Sequence, residues 1–316
     1  MPVHVASRWF LRSLVVALAV APMAALAQDA PAPRVFAPGV ETVIPVELSP
    51  ADTTSVHDVV ELRAEAGLEW KPEFQTESRT LFNKAAEARF NRELWQLEFG
   101  FKPLRMIFID VPQASGETER KLVWYLVYRV KNTGETLVPS ASEVGEMSFA
   151  KGEGEAIRYL PHFVLQGHDT APNGGRIYRA YLDKVIPAAV EPIRLRETPG
   201  RKLLGSVAMS AEPIAVGEER WGVAMWENID PEMDFFSVYA RGLTNAYRWT
   251  DPPGAYEAGD PPGKGREFAH KTLQLNFWRP GDRFLQHESE VRYGVPVGKA
   301  DLYGVDEGVA HRWVFR

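Results

Sequence analysis

The stretch "KLVWYLVYRVKNTGE", residues 121–135, decides the fold class. Apart from Arg129, every residue from Leu122 to Val130 is apolar or aromatic. A run without alternation between apolar and polar residues is typical of a strand that is covered on both faces. The sequence Asn132-Thr133-Gly134 then supplies residues that favour a turn. The stretch therefore predicts a central strand that ends in a turn.

The residues just before this strand predict two more strands. In residues 94–102, every second side chain from Trp95 to Phe101 is apolar, as in a strand with one buried face. Pro103 interrupts this pattern because proline cannot donate a hydrogen bond to a neighbouring strand. Residues 105–111 then resume as a more fully apolar run.

The remaining apolar runs up to residue 316 are short and are separated by Gly, Pro and Asp turns. Helices do not alternate with these strands, so an antiparallel sheet is favoured over a parallel one. The prediction is a mainly β protein, an antiparallel Ig-like β-sandwich with one or two short helical inserts. The sandwich spans residues 93–316, and a division into two sub-sandwiches near 175–200 stays open. One helical insert is predicted at 176–193, where apolar residues recur every four positions.

The N-terminal residues have the pattern of a cleavable signal peptide, assigned to residues 1–27. Arg8 and Arg12 precede an apolar stretch at 13–26, which is too short to span a bilayer comfortably. Ala25-Leu26-Ala27 matches the small-x-small cleavage pattern. The expectation is an exported chain, periplasmic or extracellular, with no transmembrane segment after cleavage.

Two segments separate the signal from the sandwich. Residues 28–53 contain five prolines and predict an extended, proline-rich leader with at most one edge strand. Residues 54–92 are predicted to be helical or irregular.

Composition excludes several kinds of site. The chain contains no cysteine, which excludes disulfides, thiolate metal sites, a cysteine nucleophile and a lipid anchor on cysteine. Removal of residues 1–27 would take away two arginines and no acid, so the net charge would change from −6 to −8. This charge argues against nucleic acid or anionic lipid as the main partner.

Three stretches carry a resemblance to known proteins: "LEFGFKPLRMIFIDVP" at 97–112, "KLVWYLVYRVKNTG" at 121–134, and "GVAMWENIDPEMDFFSVYARGLTNAY" at 222–247. They resemble stretches in functionally uncharacterised, exported bacterial proteins with Ig-like β-sandwich domains. The resemblance implies the fold and an extracytoplasmic location. It supplies no catalytic residues.

The acidic residues Asp230, Glu232 and Asp234 have the spacing of the first ligands in a calcium loop. An EF-hand loop, however, needs Gly where Phe235 stands and Glu where Arg241 stands. Both flanks also have the pattern of strands instead of helices. Calcium is the cation that a looser loop of oxygen ligands would bind, and a solvated turn between two strands is the more ordinary interpretation.

His162, His168 and Asp169 are the other candidate metal ligands. Two histidines and one carboxylate form a possible metal site. Six residues along a strand, however, separate the two histidines by about 20 Å. They would converge only if the chain folded back at Gln166-Gly167, so one partly buried and one loop histidine is the simpler interpretation.

The aromatic residues Tyr247, Trp249 and Tyr256 flank the turn sequence "DPPG" at 251–254. Flat side chains on a rigid loop can anchor a protein or stack on the apolar face of a sugar. Such side chains also commonly fix a loop to the core. These three residues are the candidate binding site.

The chain lacks the usual catalytic signatures, such as G-x-S-x-G, H-E-x-x-H and the phosphate-binding loop. The preferred hypothesis is a non-catalytic module of the cell envelope that binds a protein or polysaccharide partner and needs no cofactor. The first alternative is a hydrolase of glycans or esters, dependent on carboxylates at 230–234 and assisted by His162, His168 or a metal. The second alternative is a structural envelope component that self-associates through strand edges.

Overall fold

Strands dominate the part of the chain that the computed structural model describes, which is residues 41–56, 89–113, 115–141, 147–255, 264–280 and 291–316. The strands are β1 (Thr42–Ile44), β2 (Thr54–Val56), β3 (Arg89–Asn91), β4 (Leu94–Trp95), β5 (Glu98–Phe101), β6 (Arg105–Pro112), β7 (Thr118–Lys131), β8 (Glu135–Ala141), β9 (Met147–Glu153), β10 (His162–Gly167), β11 (Ala180–Leu182), β12 (Leu203–Gly205), β13 (Glu219–Glu227), β14 (Phe235–Arg241), β15 (Tyr247–Thr250), β16 (Glu267–Trp278), β17 (Arg292–Tyr293) and β18 (His311–Phe315). The helices in these ranges are α1 (Pro187–Glu197), α2 (Ser206–Met209) and α3 (Ala300–Tyr303), and a 3-10 turn covers Pro50–Asp52.

Strand β7 is the centre of the first sheet, which has the order β1-β5-β7-β13-β12. Strand β13 pairs with β7 along one edge, while β5 and β6 share the other edge. The break between β5 and β6 contains Pro103, as the sequence predicts. Beyond β7, Gly134 adopts a left-handed φ of 76°, and its N–H donates to the Asn132 side chain at 3.0 Å. Glycine adopts such a φ without a steric penalty, so it suits this turn.

The second sheet has the order β11-β10-β14-β16-β15, and β17 and β18 also pair with β16. Strand β16 pairs with β14 along residues 273–278 and with β18 along residues 271–275. It is therefore the central strand of this sheet. All of these pairs are antiparallel.

The main hydrophobic core lies between the two sheets. Aromatic rings from both sheets meet there: Trp124 of β7 packs edge-on against Phe236 of β14, with ring centroids 5.4 Å apart. Fully or nearly fully buried members of this core include Phe99, Phe101, Leu126, Tyr128, Trp226, Phe163, Leu165, Val238, Leu275 and Phe277. The prediction of a mainly β protein with antiparallel sheets is confirmed.

A second core covers the opposite face of the first sheet. There Val123, Tyr125 and Val127 of β7 pack with Ala189 and Ile193 of α1. The odd-numbered residues of β7 therefore face the helix, and the even-numbered residues face the other sheet. This double coverage explains the uninterrupted apolar run at 122–130. Arg129 is the exception, and it is 8% exposed.

The N-terminal part of the described chain contributes short strands. Strand β1 is the outermost strand of the first sheet, and β2 pairs with β3. Strand β4 pairs with β8, which pairs with β9. The predicted signal peptide at 1–27 and most of the segment predicted to be helical or irregular, residues 57–88, lie outside the described residues.

The structure differs from the sequence prediction in several places. The strand predicted over 94–102 is divided between β4 and β5, which belong to different sheets, and the segment predicted to be helical or irregular begins with β2 and ends with β3. The helix predicted at 176–193 begins only at Pro187, because Ala180–Leu182 pairs with β10 as strand β11. Strand β12 is also parallel to β13, unlike the other strand pairs of the two large sheets. No helix within the described ranges is long and apolar enough to cross a membrane.

Candidate functional site

Tyr247 and Trp249 lie on a strand, not on the loop where the sequence predicts them. Both belong to β15, where Tyr247 is opposite His270 and Trp249 is opposite Phe268 of β16. Residues two apart on a strand and their direct partners share one face. We call Tyr247, Trp249, Phe268 and His270 the aromatic face. Tyr256, the third predicted binding residue, lies outside the described residues.

Arginines hold two rings of the aromatic face. The guanidinium carbon of Arg92 lies 3.9 Å from the centre of the Tyr247 ring, and that of Arg266 lies 3.5 Å from the Trp249 ring. Arg266 is fixed in turn by two hydrogen bonds to Asp251, at 2.8 and 3.0 Å. These contacts order the rings before any partner binds. Phe268 remains 53% exposed.

Two exposed arginines lie on aromatic rings elsewhere in the second sheet. Arg248 lies 3.9 Å from the ring centre of Phe315, and Arg316 lies 3.9 Å from that of Tyr239. Arg248 lies between Tyr247 and Trp249 on β15, so it faces the opposite side of the sheet, where it is 3.8 Å from Asp52.

The acidic loop between β13 and β14 is a hydrogen-bonded turn. The side chain of Asp230 accepts a hydrogen bond from the backbone N–H of Glu232 at 2.9 Å and forms an ion pair with Arg179. Glu232 is exposed. Asn228, just before the turn, has a left-handed φ of 58°. This geometry is that of a solvated connection between two strands.

Asp169 lies against the end of this loop. One of its carboxylate oxygens accepts hydrogen bonds from the backbone N–H groups of Asp234 and Phe235, both at 3.2 Å. Burial raises the pKa of Asp169 and of Asp234 above their ordinary values. Among the residues that the structure describes, no group of three or more histidines and carboxylates is placed to hold a metal ion.

The two histidines do not converge. His162 begins strand β10 and is exposed, while His168 follows the end of the same strand and is 8% exposed. The backbone N–H of His168 donates to the carbonyl of Phe235 at 2.7 Å. The extended strand between the two histidines keeps their side chains apart.

His168 contacts a serine in a way that resembles a catalytic pair. Its Nε2 atom lies 2.8 Å from Oγ of Ser237. The Ser237 hydroxyl, however, donates its single hydrogen to Asn276 Oδ1 at 2.8 Å, so the histidine nitrogen is the donor. Ser237 is also fully buried. A serine nucleophile needs a base that accepts its proton and space for a substrate, and Ser237 has neither.

The contact is part of a buried polar network beneath α3. Gln274 donates to Asn276 at 2.9 Å and to the carbonyl of Tyr303 at 3.2 Å, while its own oxygen accepts from Arg312 at 2.9 Å. Burial, together with Arg176 and Arg316, lowers the pKa of His168 to about 4. The imidazole is therefore neutral at pH 7.

A second polar cluster lies where α1 ends, and the sequence analysis did not identify it. Glu197 is 4% exposed and accepts hydrogen bonds from one nitrogen of Arg105 at 2.7 and 2.9 Å. It also accepts from the hydroxyl of Tyr125 at 2.8 Å. Two adjoining clefts open beside this cluster, with volumes of about 540 and 660 Å³, and Arg201 and Trp221 line both.

The clefts were missed because their residues come from distant parts of the sequence. Lys102 belongs to the break between β5 and β6, Glu197 to α1, Arg201 to the following turn and Trp221 to β13. In the sequence, Trp221 has only the pattern of a core residue. The one available signal was the turn Pro199-Gly200 followed by two basic residues, which is too short to be specific.

The chain matches no known family model, and the comparisons with curated proteins and with solved structures found no match either. Conclusions about function therefore rest on the geometry.

Proposed function

We propose that this chain is a non-catalytic, Ig-like module of the bacterial cell envelope that binds a protein partner through the aromatic face. The observation that carries the proposal is the arrangement of Tyr247, Trp249 and Phe268, two rings held by arginines and a third half exposed. Aromatic and arginine side chains are the residue types that contribute most to protein interfaces.

The rings are already ordered, which lowers the entropic cost of binding. They lie on paired strands, and strands hold side chains more rigidly than loops do. The exposed cation Arg316, which lies on the ring of Tyr239, favours a partner with an acidic surface. A polysaccharide fits this face less well, because Tyr247 and Trp249 already carry a guanidinium on one side of the ring.

Location in the envelope is the second part of the proposal, and it rests on the signal pattern at 1–27. N-terminal sequencing of the protein recovered from the producing cell tests it. The expected result is a chain that begins at Gln28 and lies outside the cytoplasm. A chain that keeps residues 1–27 and stays inside the cell would contradict it.

The binding experiment is co-sedimentation of the chain from Gln28 onward with envelope fractions, before and after protease treatment of the envelopes. We expect saturable binding that protease abolishes. Trp249→Ala and Phe268→Ala should each weaken it by roughly tenfold or more, the effect of a typical interface anchor. Tyr178→Ala is the matched control, since this aromatic residue is 81% exposed and lies elsewhere.

Other outcomes separate the remaining hypotheses. Binding that survives protease would point to a polysaccharide, and equal effects of Trp249→Ala and Tyr178→Ala would exclude the aromatic face. Loss of binding with EDTA would indicate calcium in the loop that contains Asp230, Glu232 and Asp234. Self-association of the purified chain without envelopes would favour the structural component.

A hydrolase remains the alternative, favoured by the raised pKa of Asp169 and Asp234. A raised pKa is typical of a general acid. Neither residue, however, lines the two clefts at Arg201. The test is turnover of a glycan or ester substrate by the native protein. If Asp234→Asn abolishes this turnover and leaves the thermal stability unchanged, the chain is a hydrolase and not a binding module.

A further inference from the structure

The two clefts share a wall formed by Arg201 and Trp221. The smaller cleft is also lined by Glu41, Lys102 and Glu197, and the larger one continues along Leu204 and Glu218. Each volume, about 540 and 660 Å³, lies within the range of small-molecule sites. A ligand longer than one cleft would have to pass over Arg201.

Arg201 is held in place with most of its hydrogen-bond donors unused. One guanidinium nitrogen donates to Glu219 at 2.6 Å, and the guanidinium carbon lies 5.0 Å from the ring centre of Trp221. Within the described residues, this is the one hydrogen bond that its side chain makes. A guanidinium has five N–H donors, so the others can reach a ligand. The side chain is 54% exposed.

Lys102 is a buried cation without a carboxylate partner among the described residues. The residue is 5% exposed, and its Nζ atom donates to the backbone carbonyl of Glu197. Burial lowers the pKa of Lys102, and the positive charges of Arg105 and Arg201 lower it further, while the nearby carboxylates of Glu197 and Glu41 partly oppose this shift. A buried ammonium group is stable only with good partners, and a carbonyl is a weaker partner than an anion.

The carboxylates at the smaller cleft already have partners. Glu197 binds Arg105 and Tyr125, as described above, and Oε1 of Glu41 accepts hydrogen bonds from Arg129 at 2.8 and 2.9 Å. Both carboxylates are therefore already charge-paired, whereas Lys102 and Arg201 have N–H donors to offer, as does the hydroxyl of Thr198, which has no hydrogen-bond partner within the described ranges. A ligand that fits must bring acceptors, and an anionic oxygen pair best matches two cations.

The larger cleft has a different character. Apolar side chains of Leu204, Ala208 and Ala211 line it together with the carboxylates of Glu212 and Glu218. Carboxylates accept from hydroxyl groups, and the apolar side chains suit the carbon face of a ring. Lys202 and Arg220 line it as well, and with Arg201 and Glu219 the lining carries three basic and three acidic side chains. This balance suits a neutral sugar unit.

We propose that the paired clefts bind an acidic sugar within a largely neutral glycan, with its carboxylate between Lys102 and Arg201. The neighbouring sugar then lies in the larger cleft, where its hydroxyl groups donate to Glu212, since Glu218 is already paired with Arg220. The site is separate from the aromatic face, so a glycan and a protein partner can bind at the same time. The cationic donors of the smaller cleft provide the specificity for the carboxylate.

Calorimetric titration of the chain from Gln28 onward tests the proposal, with three probes: a short glycan containing one uronic acid, the same glycan with that acid reduced to an alcohol, and a glutamate-containing peptide. We expect saturable binding of the acidic glycan, and roughly ten- to a hundredfold weaker binding of the reduced one, since a charge-assisted contact is lost. Arg201→Gln should produce a similar loss.

Arg120→Gln is the matched control, because Arg120 is exposed on β7 and lines neither cleft. Lys102→Met serves as a second variant, which should also lose affinity for the acidic glycan and not for the reduced one. Equal affinity for the acidic and reduced glycans, preference for the peptide, or an unchanged affinity in Arg201→Gln would overturn the proposal. Trp249→Ala should not affect this titration, so failure of one proposed site is distinguishable from failure of the other.

Discussion

Part of the outer face of each sheet is buried, but by different chemistry. On the first sheet, α1 covers β7 and β13 with apolar contacts, and Glu197 with Arg105 adds one ion pair at the end of the helix. On the second sheet, α3 covers Ser237, Gln274 and Asn276, all fully buried and joined by hydrogen bonds. The first face depends on packing and one charge pair. The second depends on a complete set of hydrogen bonds.

The difference shows where each face is vulnerable. Apolar packing tolerates changes of similar volume, whereas a buried polar group that loses its partner keeps its full desolvation cost. We therefore expect the two faces to respond differently to substitution and to pH.

The largest effect is expected at the ion pair of the first face. Glu197→Gln removes the charge that Arg105 contacts at 2.7 Å inside the protein. Breaking a buried pair typically costs about 3–5 kcal/mol, because one charge stays buried without its counter-charge. Denaturant titration measures the free energy of unfolding.

Two further variants sharpen this test. Glu191→Gln on the same helix removes an exposed ion pair with Arg194, so we expect no measurable change. The double change Arg105→Met, Glu197→Leu should recover part of the lost stability, because apolar residues can replace a buried pair. A similar result for Glu197→Gln and Glu191→Gln would mean that the buried pair contributes little.

The second effect is a pH dependence at the second face. The pKa of His168 is lowered from 6.5 to about 4 in the folded protein. The unfolded chain therefore binds the proton more readily, and stability falls as the pH decreases from about 6.5 towards 4, by up to about 3 kcal/mol. The groups that face the imidazole are Arg176, Arg316 and the ring of Tyr303.

Unfolding titrations at several pH values, compared between the native protein and His168→Gln, isolate this effect. The raised pKa of Asp169 and Asp234 acts in the opposite direction, since their stability contribution is lost as the pH rises through the folded pKa. That contribution is common to both proteins and cancels in the difference. Parallel pH profiles for the two proteins would show that His168 does not titrate as the structure indicates.

The smallest of these effects is expected for Ser237→Ala. The variant leaves the Nε2–H group of His168 without its acceptor and Asn276 without one donor, and we expect a loss of about 1–3 kcal/mol. Ser115→Ala, at an exposed serine, should change nothing. If the free energy of unfolding of Ser237→Ala equals that of the native protein, the hydrogen-bond network is not required to cover the second sheet.

More of the fold than of the site could be predicted from the sequence, because strands follow from the local periodicity of apolar residues. The run at 122–130 indicated a buried strand, and that strand is present as β7. The single strand predicted from Trp95 to Phe101 is instead divided between β4 and β5, which belong to different sheets. The helix prediction at 176–193 was half wrong, because Tyr181 lies on a short strand whose pairing with β10 outweighs its helical spacing. Local patterns do not report which distant strand is available for pairing.

Binding by Tyr247 and Trp249 stays a prediction, but the element on which they lie differs from the expectation. Tyr247 and Trp249 were expected on a loop, since the turn residues of "DPPG" follow closely. The structure places both on β15, because Phe268 and His270 of β16 provide partners nineteen and twenty-three residues away. No local signal connects these positions.

By itself, the sequence determined that the chain is mainly β, that β7 is central, and that cysteine chemistry is absent. These properties follow from composition and from the spacing of apolar residues along a single strand. Only the tertiary structure decided that His168 meets Ser237 instead of His162, that Arg105 meets Glu197, and that Lys102 and Arg201 line one cleft. Such contacts join residues far apart in the chain, and their energies depend on burial and distance, which exist only once the sheets have packed.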